Sequence, residues 1–154
     1  MLIRTHLLIT LFFVLLLFNS VNAKYKILFV IVALLATYIP DLDSQSSKIG
    51  NRKILRILQF FTKHRGMIHS FTFLILITLV FVLFLPVVSL GFFLGYGLHL
   101  LADSFTMAGI TPFYPYKKKT CGRVRTGGKS ETIVFVVLLF ADLGLLIWKI
   151  SLSF

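Results

Sequence analysis

Acidic residues are scarce in this 154-residue chain: five Asp and Glu stand against sixteen Lys and Arg, a formal charge of +11. A single cysteine, Cys121, excludes an intrachain disulfide and says little about redox compartment. Four prolines and one tryptophan leave long apolar stretches unbroken, and charged residues make up only 14% of the chain. Hydrophobic residues reach 58%, above the roughly 45–50% of a soluble domain, which excludes an ordinary soluble fold. The excess of base is a signature of nucleic-acid binding in other settings. Here the basic residues flank apolar runs, where they act as topology signals and contacts to anionic lipid head groups, and no nucleic-acid partner is expected.

The apolar runs organise the chain as one helical membrane domain over 1–154, an all-α integral membrane protein of about five transmembrane helices. Their expected bounds are about 2–20, 26–39, 69–88, 90–106 and 131–151. The first run also reads as a cleaved signal peptide, with Met1 to His6 as basic start, Leu7 to Phe18 as apolar centre and Val21-Asn22-Ala23 as cleavage site. Cleavage there would remove His6. The second run is short and ends at Pro40, which disfavours helical geometry in the residue before it. Between about 51 and 63, Ile54, Leu55, Ile57, Leu58 and Phe61 fall at helical spacing with Arg52, Lys53, Arg56 and Lys63 largely opposite, the pattern of an amphipathic helix lying on the bilayer surface. In the fourth run Gly91, Gly95 and Gly97 permit close helix contact.

Five spans place alternate connections on opposite sides of the bilayer. Arg4, the segment 41–67 and the loop 109–130 then share one side, and all Lys and Arg but Lys24, Lys26 and Lys149 fall there. The positive-inside rule puts that side, with the N-terminus, in the cytoplasm of a multi-pass protein of the cell membrane. It also gathers His6, Asp41, Asp43, His64, His69, His99 and Asp103 near one membrane face.

These residues carry the chemistry. His99 and Asp103, four apart on one helix, point the same way. An Asp at mid-membrane costs about 2.5–3.5 kcal/mol on insertion scales and faces a partner or a water-filled cavity, so the pair serves either a ligand or a structural hydrogen bond. Asp41 and Asp43 can approach one centre if the backbone after Pro40 turns, or can cap the segment that follows. Together with His69, and with His6 as a further donor, the set suits a divalent metal: zinc first, manganese or iron as alternatives. Such an ion lowers the pKa of its water toward about 7. His64 and Arg65 are the expected catalytic pair, His64 as proton shuttle and Arg65 as a clamp for carboxylate or phosphate or, alternatively, a topology charge. Ser70 suits an N-cap. Glu131 stands at the mouth of the last span as a helix N-terminal charge, and Asp142, inside it, has no ligand neighbour close in sequence. The basic loop with Lys117 to Lys119, Arg123, Arg125 and Lys129 is expected to meet anionic head groups of membrane lipid.

Thr5-His6, Pro40-Asp41-Leu42-Asp43, His64-Arg65-Gly66 followed by His69-Ser70, and His99-Leu100-Leu101-Ala102-Asp103, continued by Gly109 and Pro112 to Pro115, together resemble the YdjM-like family of membrane-bound predicted metal-dependent hydrolases. The motifs run in order through about the first three quarters of the chain. The family usually has Thr before the second His of the central motif, where this chain has Ile68 and so lacks that hydroxyl. The resemblance implies an integral membrane hydrolase that depends on a metal; the location and Arg65 suggest a lipid-like or phosphorylated substrate. A small transporter or ion-conducting protein also uses intramembrane ionisable groups. Against it, the polar residues gather at one face, and the spans show no inverted repeat. A non-catalytic membrane adaptor that recruits lipid through its basic loops leaves the His and Asp clusters unexplained.

Overall fold

A computed structural model describes residues 1–43 and 67–151. Within them the chain forms five α-helices: α1 (Ile3–Leu17), α2 (Lys26–Ala36), α3 (Phe71–Phe84), α4 (Pro86–Ser104) and α5 (Lys129–Ser151). The interfacial helix expected at 51–63 lies outside the described residues. Among the described residues, four apolar segments are long enough to cross a membrane, Ile3–Ser20, Ala23–Leu42, Pro86–Ser104 and Lys129–Ser151. The fifth, α3, has only 14 residues, and at about 1.5 Å per residue it falls short of roughly 30 Å of hydrocarbon.

Local chemistry sets the helix ends. The α-helical part of α2 stops at Ala36, and the chain continues through a 3-10 turn, Pro40–Asp43, so the crossing segment is longer than the helix itself. That turn keeps Asp41 and Asp43 next to the helix end. Ser70 is the N-cap of α3: its hydroxyl accepts from Phe73 N at 3.2 Å and donates to Met67 O at 2.5 Å. Pro86 opens α4 where its missing N–H costs nothing, so one residue, Leu85, separates α3 from α4.

The centre of the bundle is α4, flanked by α2 and α3, while α1 touches α2 and α4 and carries α5 on its other side. The approach of α2 to α4 depends on Gly95, because a Cβ there would lie 1.9 Å from the Ala33 carbonyl oxygen. Without a side chain the backbones pack directly, as small residues allow in membrane helices. Around this contact Ala36, Ile68, Leu74, Phe92, Tyr96, Leu100 and Ile110 form one buried cluster and Val14, Phe29 and Ala33 another. The Tyr96 hydroxyl donates to Ile68 O at 2.5 Å and so anchors the backbone just before His69 to α4.

The loop between α4 and α5 folds back on itself through isolated bridges pairing Thr106 with Val124 and Ile110 with Thr120. Gly109 turns it with φ +62°, a left-handed conformation that suits glycine. α5 is the peripheral helix. Among its described residues only Glu131 and Asp142 are buried, and Ile133, Val137, Phe140, Ile147 and Trp148 face outward. In a span of this composition an exposed apolar face is the surface that meets lipid.

Candidate metal centre

Four chain segments meet at the end of the bundle that holds the start of α1, the end of α2, the start of α3 and the end of α4. Each brings ionisable groups. His6 projects from the first turns of α1, Asp41 from the 3-10 turn after α2, His69 from the residues before α3, and His99 and Asp103 from the last turns of α4. His6, His69, His99 and Asp103 are buried; Asp41 is partly exposed.

The carboxylate of Asp103 lies at the centre. Its Oδ1 is 3.3 Å from His6 Nε2, and its Oδ2 is 3.9 Å from both His69 Nε2 and His99 Nε2. Asp41 Oδ1 is 3.8 Å from His99 Nε2. The α-amino group of Met1 also reaches Asp103 Oδ1. The rings of His6 and His99 stack, with centroids 3.9 Å apart and planes within 7° of parallel, whereas His69 meets His99 edge-on at 5.7 Å and 68°.

The orientation of His99 is set from behind. Its Nδ1 donates to the Thr37 carbonyl at 2.8 Å, an assignment that follows because a carbonyl only accepts. The proton on Nδ1 leaves the lone pair on Nε2, which is the tautomer a metal ligand needs. Thr37 is held in turn: its hydroxyl donates to Ala33 O at 2.9 Å and shares a 2.8 Å hydrogen bond with Thr10 of α1. Neither threonine was expected to matter. The available signal was a threonine within each of two apolar runs.

A cation fits this arrangement. His6 Nδ1 and His99 Nε2 are buried yet have no hydrogen-bond partner among the described residues, and His6 Nε2 meets the Asp103 carboxylate at 3.3 Å. Burying a polar atom without a partner costs about 1–3 kcal/mol, and a bound cation removes that cost where the lone pair faces it. Two sets of donors, His6 with His99 and Asp103, and Asp41 with His69 and His99, each have their ligand atoms within 4.8 Å of one another. Imidazole nitrogen with carboxylate oxygen is the donor chemistry of zinc, manganese and iron, bonded at about 2.0–2.2 Å for zinc.

The other expected site residues are placed differently. Asp43 belongs to the same 3-10 turn as Asp41, but its side chain, like all of His64 and Arg65, is outside what the structure describes. Glu131 does more than complement a helix dipole. Its Oε1 accepts from Leu2 N at 2.6 Å and Thr5 Oγ1 at 2.8 Å, and its Oε2 accepts from Gly127 N at 2.7 Å. It thereby fastens the start of α5 to the first turn of α1, one residue before His6. Sequence reasoning had no way to find Leu2 and Thr5 as partners, which lie more than 120 positions away. Asp142 stays apart: it is buried against the bundle on α5 with no hydrogen-bond partner among the described residues.

Comparison with known proteins agrees with this picture of a membrane protein. The uncharacterized protein YvsG of Bacillus subtilis (strain 168) is 27% identical over 110 residues, covering 68% of this chain and 69% of the relative. No solved structure matches. The profile of the YdjM inner membrane protein family matches residues 1–153, and the chain, a multi-pass helical protein with buried His and Asp residues at one end of its bundle, belongs to that family.

Proposed function

We propose that this protein is a membrane-embedded, metal-dependent hydrolase whose site lies at the cytoplasmic interface and whose substrate is lipid-like or phosphorylated. The observation that carries the reading is the convergence of three imidazoles and two carboxylates, with buried His6 and His99 nitrogens that have no hydrogen-bond partner among the described residues. Asp41, His69, His99 and Asp103, with His6, would hold the cation, zinc being the first candidate. When bound, a divalent cation activates water as a nucleophile near neutral pH and polarises a carbonyl or phosphoryl oxygen.

The chain's own residues prepare that chemistry. Thr37 fixes the tautomer of His99, Glu131 fixes the turn that carries His6, and the Tyr96 hydroxyl fixes the backbone before His69. Asp103 compensates charge in the centre of the site. His64 and Arg65, five and four positions before His69 in the same short stretch, are assigned the proton shuttle and the anion clamp on their chemistry.

The substrate class rests on what lies beside the site. A groove of about 850 Å³ opens at the start of α3, lined by Thr72, Phe113, Tyr114, Tyr116 and Lys118 among others, three residues along the chain from His69. Exposed aromatic rings and a lysine at a membrane interface suit an anionic head group whose tails stay in the bilayer. The shared face of Arg4, Asp41 and the basic loop supports the cytoplasmic placement through the positive-inside rule.

The test is turnover by the purified protein in lipid nanodiscs, loaded with zinc, manganese or iron and offered phosphorylated and ester lipids. Turnover that falls at least about 100-fold in Asp103→Asn and His69→Ala, while both variants still insert, is the expected result. Folded, metal-loaded protein that cleaves none of the panel would overturn the hydrolase reading. Activity that survives in a variant lacking both Asp41 and Asp103 would remove the site from it.

A further inference from the structure

We infer that the site is built for two cations bridged by the Asp103 carboxylate, one held by Asp41, His69 and His99 and the other by His6. This rests on the metal reading above and adds to it a number and an allocation of ligands.

The argument comes from the ring planes. An imidazole nitrogen offers its lone pair in the plane of the ring, so a cation bound to it lies in or near that plane. The His6 and His99 rings are stacked within 7° of parallel with centroids 3.9 Å apart. Rings in contact keep their planes about a van der Waals thickness apart, about 3.5 Å. No single point lies in both planes. Distance alone groups His6 with His99, but the directions of their lone pairs separate them. The gap between the planes matches the spacing of paired divalent cations in two-metal sites, about 3.5–4 Å.

The remaining donors divide along the same line. His69 crosses His99 at 68°, so their planes intersect and one cation can lie in both. Asp41 Oδ1, 3.8 Å from His99 Nε2, completes that set. His99 cannot serve both cations, because its Nδ1 is committed to the Thr37 carbonyl and only Nε2 is available. Asp103 presents its two oxygens to the two sides, Oδ1 toward His6 Nε2 at 3.3 Å, where the Met1 α-amino group also meets it and would have to yield to a cation, and Oδ2 toward His69 and His99 at 3.9 Å. A carboxylate so placed is a bridge, and it brings the negative charge that two neighbouring cations require. The His6 side has fewer donors from the described residues, so its cation is the weaker bound and the one left open to water or substrate.

The experiment counts cations and measures their separation. Detergent-purified full-length protein is loaded with Mn²⁺, desalted, and examined by elemental analysis and electron paramagnetic resonance. Two Mn²⁺ per chain with an exchange-coupled spectrum are expected, falling to one uncoupled Mn²⁺ per chain in His6→Asn. The wild-type spectrum alone tests the pair, so a poorly folding variant does not decide the matter. One Mn²⁺ per folded wild-type chain with an isolated six-line signal would overturn the pair and leave the metal reading intact. Two uncoupled ions would also overturn it, and no bound ion would overturn both readings.

Discussion

Two aspartates in apolar helices can be compared directly. Asp103 on α4 and Asp142 on α5 are both buried, and each stands in a segment long and apolar enough to cross the bilayer. Around Asp103 the bundle assembles three imidazoles from three different segments. Around Asp142 it supplies no hydrogen-bond partner among the described residues. The scaffold accounts for the difference. α4 is the central helix, and its end adjoins α1, the 3-10 turn after α2 and the start of α3, whereas α5 is peripheral and packs mainly on α1. An ionisable group within a membrane span therefore marks a site only where the packing converges on it.

The comparison is sharpest in the pair of substitutions Asp103→Asn and Asp142→Asn. The first should lower metal affinity at least about 100-fold, and the second should leave metal content unchanged, both read by elemental analysis of the purified proteins. Equal loss in the two would erase the distinction. The next effect tests the scaffold under Asp103. Gly95→Ala places a methyl group where Ala33 O already sits, and overpacking of that kind costs about 1–3 kcal/mol or more. A lowered thermal midpoint in detergent, with metal binding weakened as α2 and α4 separate, is the expected outcome. A variant as stable as wild type would mean that the two helices do not pack backbone to backbone.

Glu131→Gln comes third. A carboxylate that accepts three hydrogen bonds is replaced by a group that accepts fewer, at about 1–3 kcal/mol, and the loss should appear in thermal unfolding. Because Glu131 holds the turn beside His6, the cation on the His6 side should weaken before the other. Unchanged metal binding in a destabilised Glu131→Gln protein would confine this residue to the joining of helices. The smallest effect is expected for the stability of Asp142→Asn. It loses no hydrogen bond among the described residues and exchanges a carboxylate for a neutral amide that is less costly to bury, so stability should rise by on the order of 1 kcal/mol or less, read as a slightly higher thermal midpoint. A marked fall would reveal a partner for Asp142 and break the comparison from the other side.

Much of this was readable before folding. Apolar runs and their breaks indicate helices because hydropathy and proline act locally. Asp41, His69, His99 and Asp103 stand out because ionisable residues are rare in such a chain. Other features carried too little local signal. Thr37 acts through its backbone carbonyl, which every residue possesses. Glu131 reads as a helix-end charge until Leu2 and Thr5 are brought to it. Asp103 and Asp142 differ in sequence mainly by the histidine four positions before Asp103.

The sequence by itself determined that this is a helical membrane protein, that its basic residues fall mainly in the segments flanking the apolar runs, and which few residues have metal-binding chemistry. Those properties depend on composition and on neighbours a few positions apart. The tertiary structure alone decided that His6 stacks on His99 while His69 crosses it, that Asp103 faces both sides, and that Asp142 is left out. A ring's plane is set by the rotation and approach of whole helices, and Gly95 against Ala33 controls one such approach at long range.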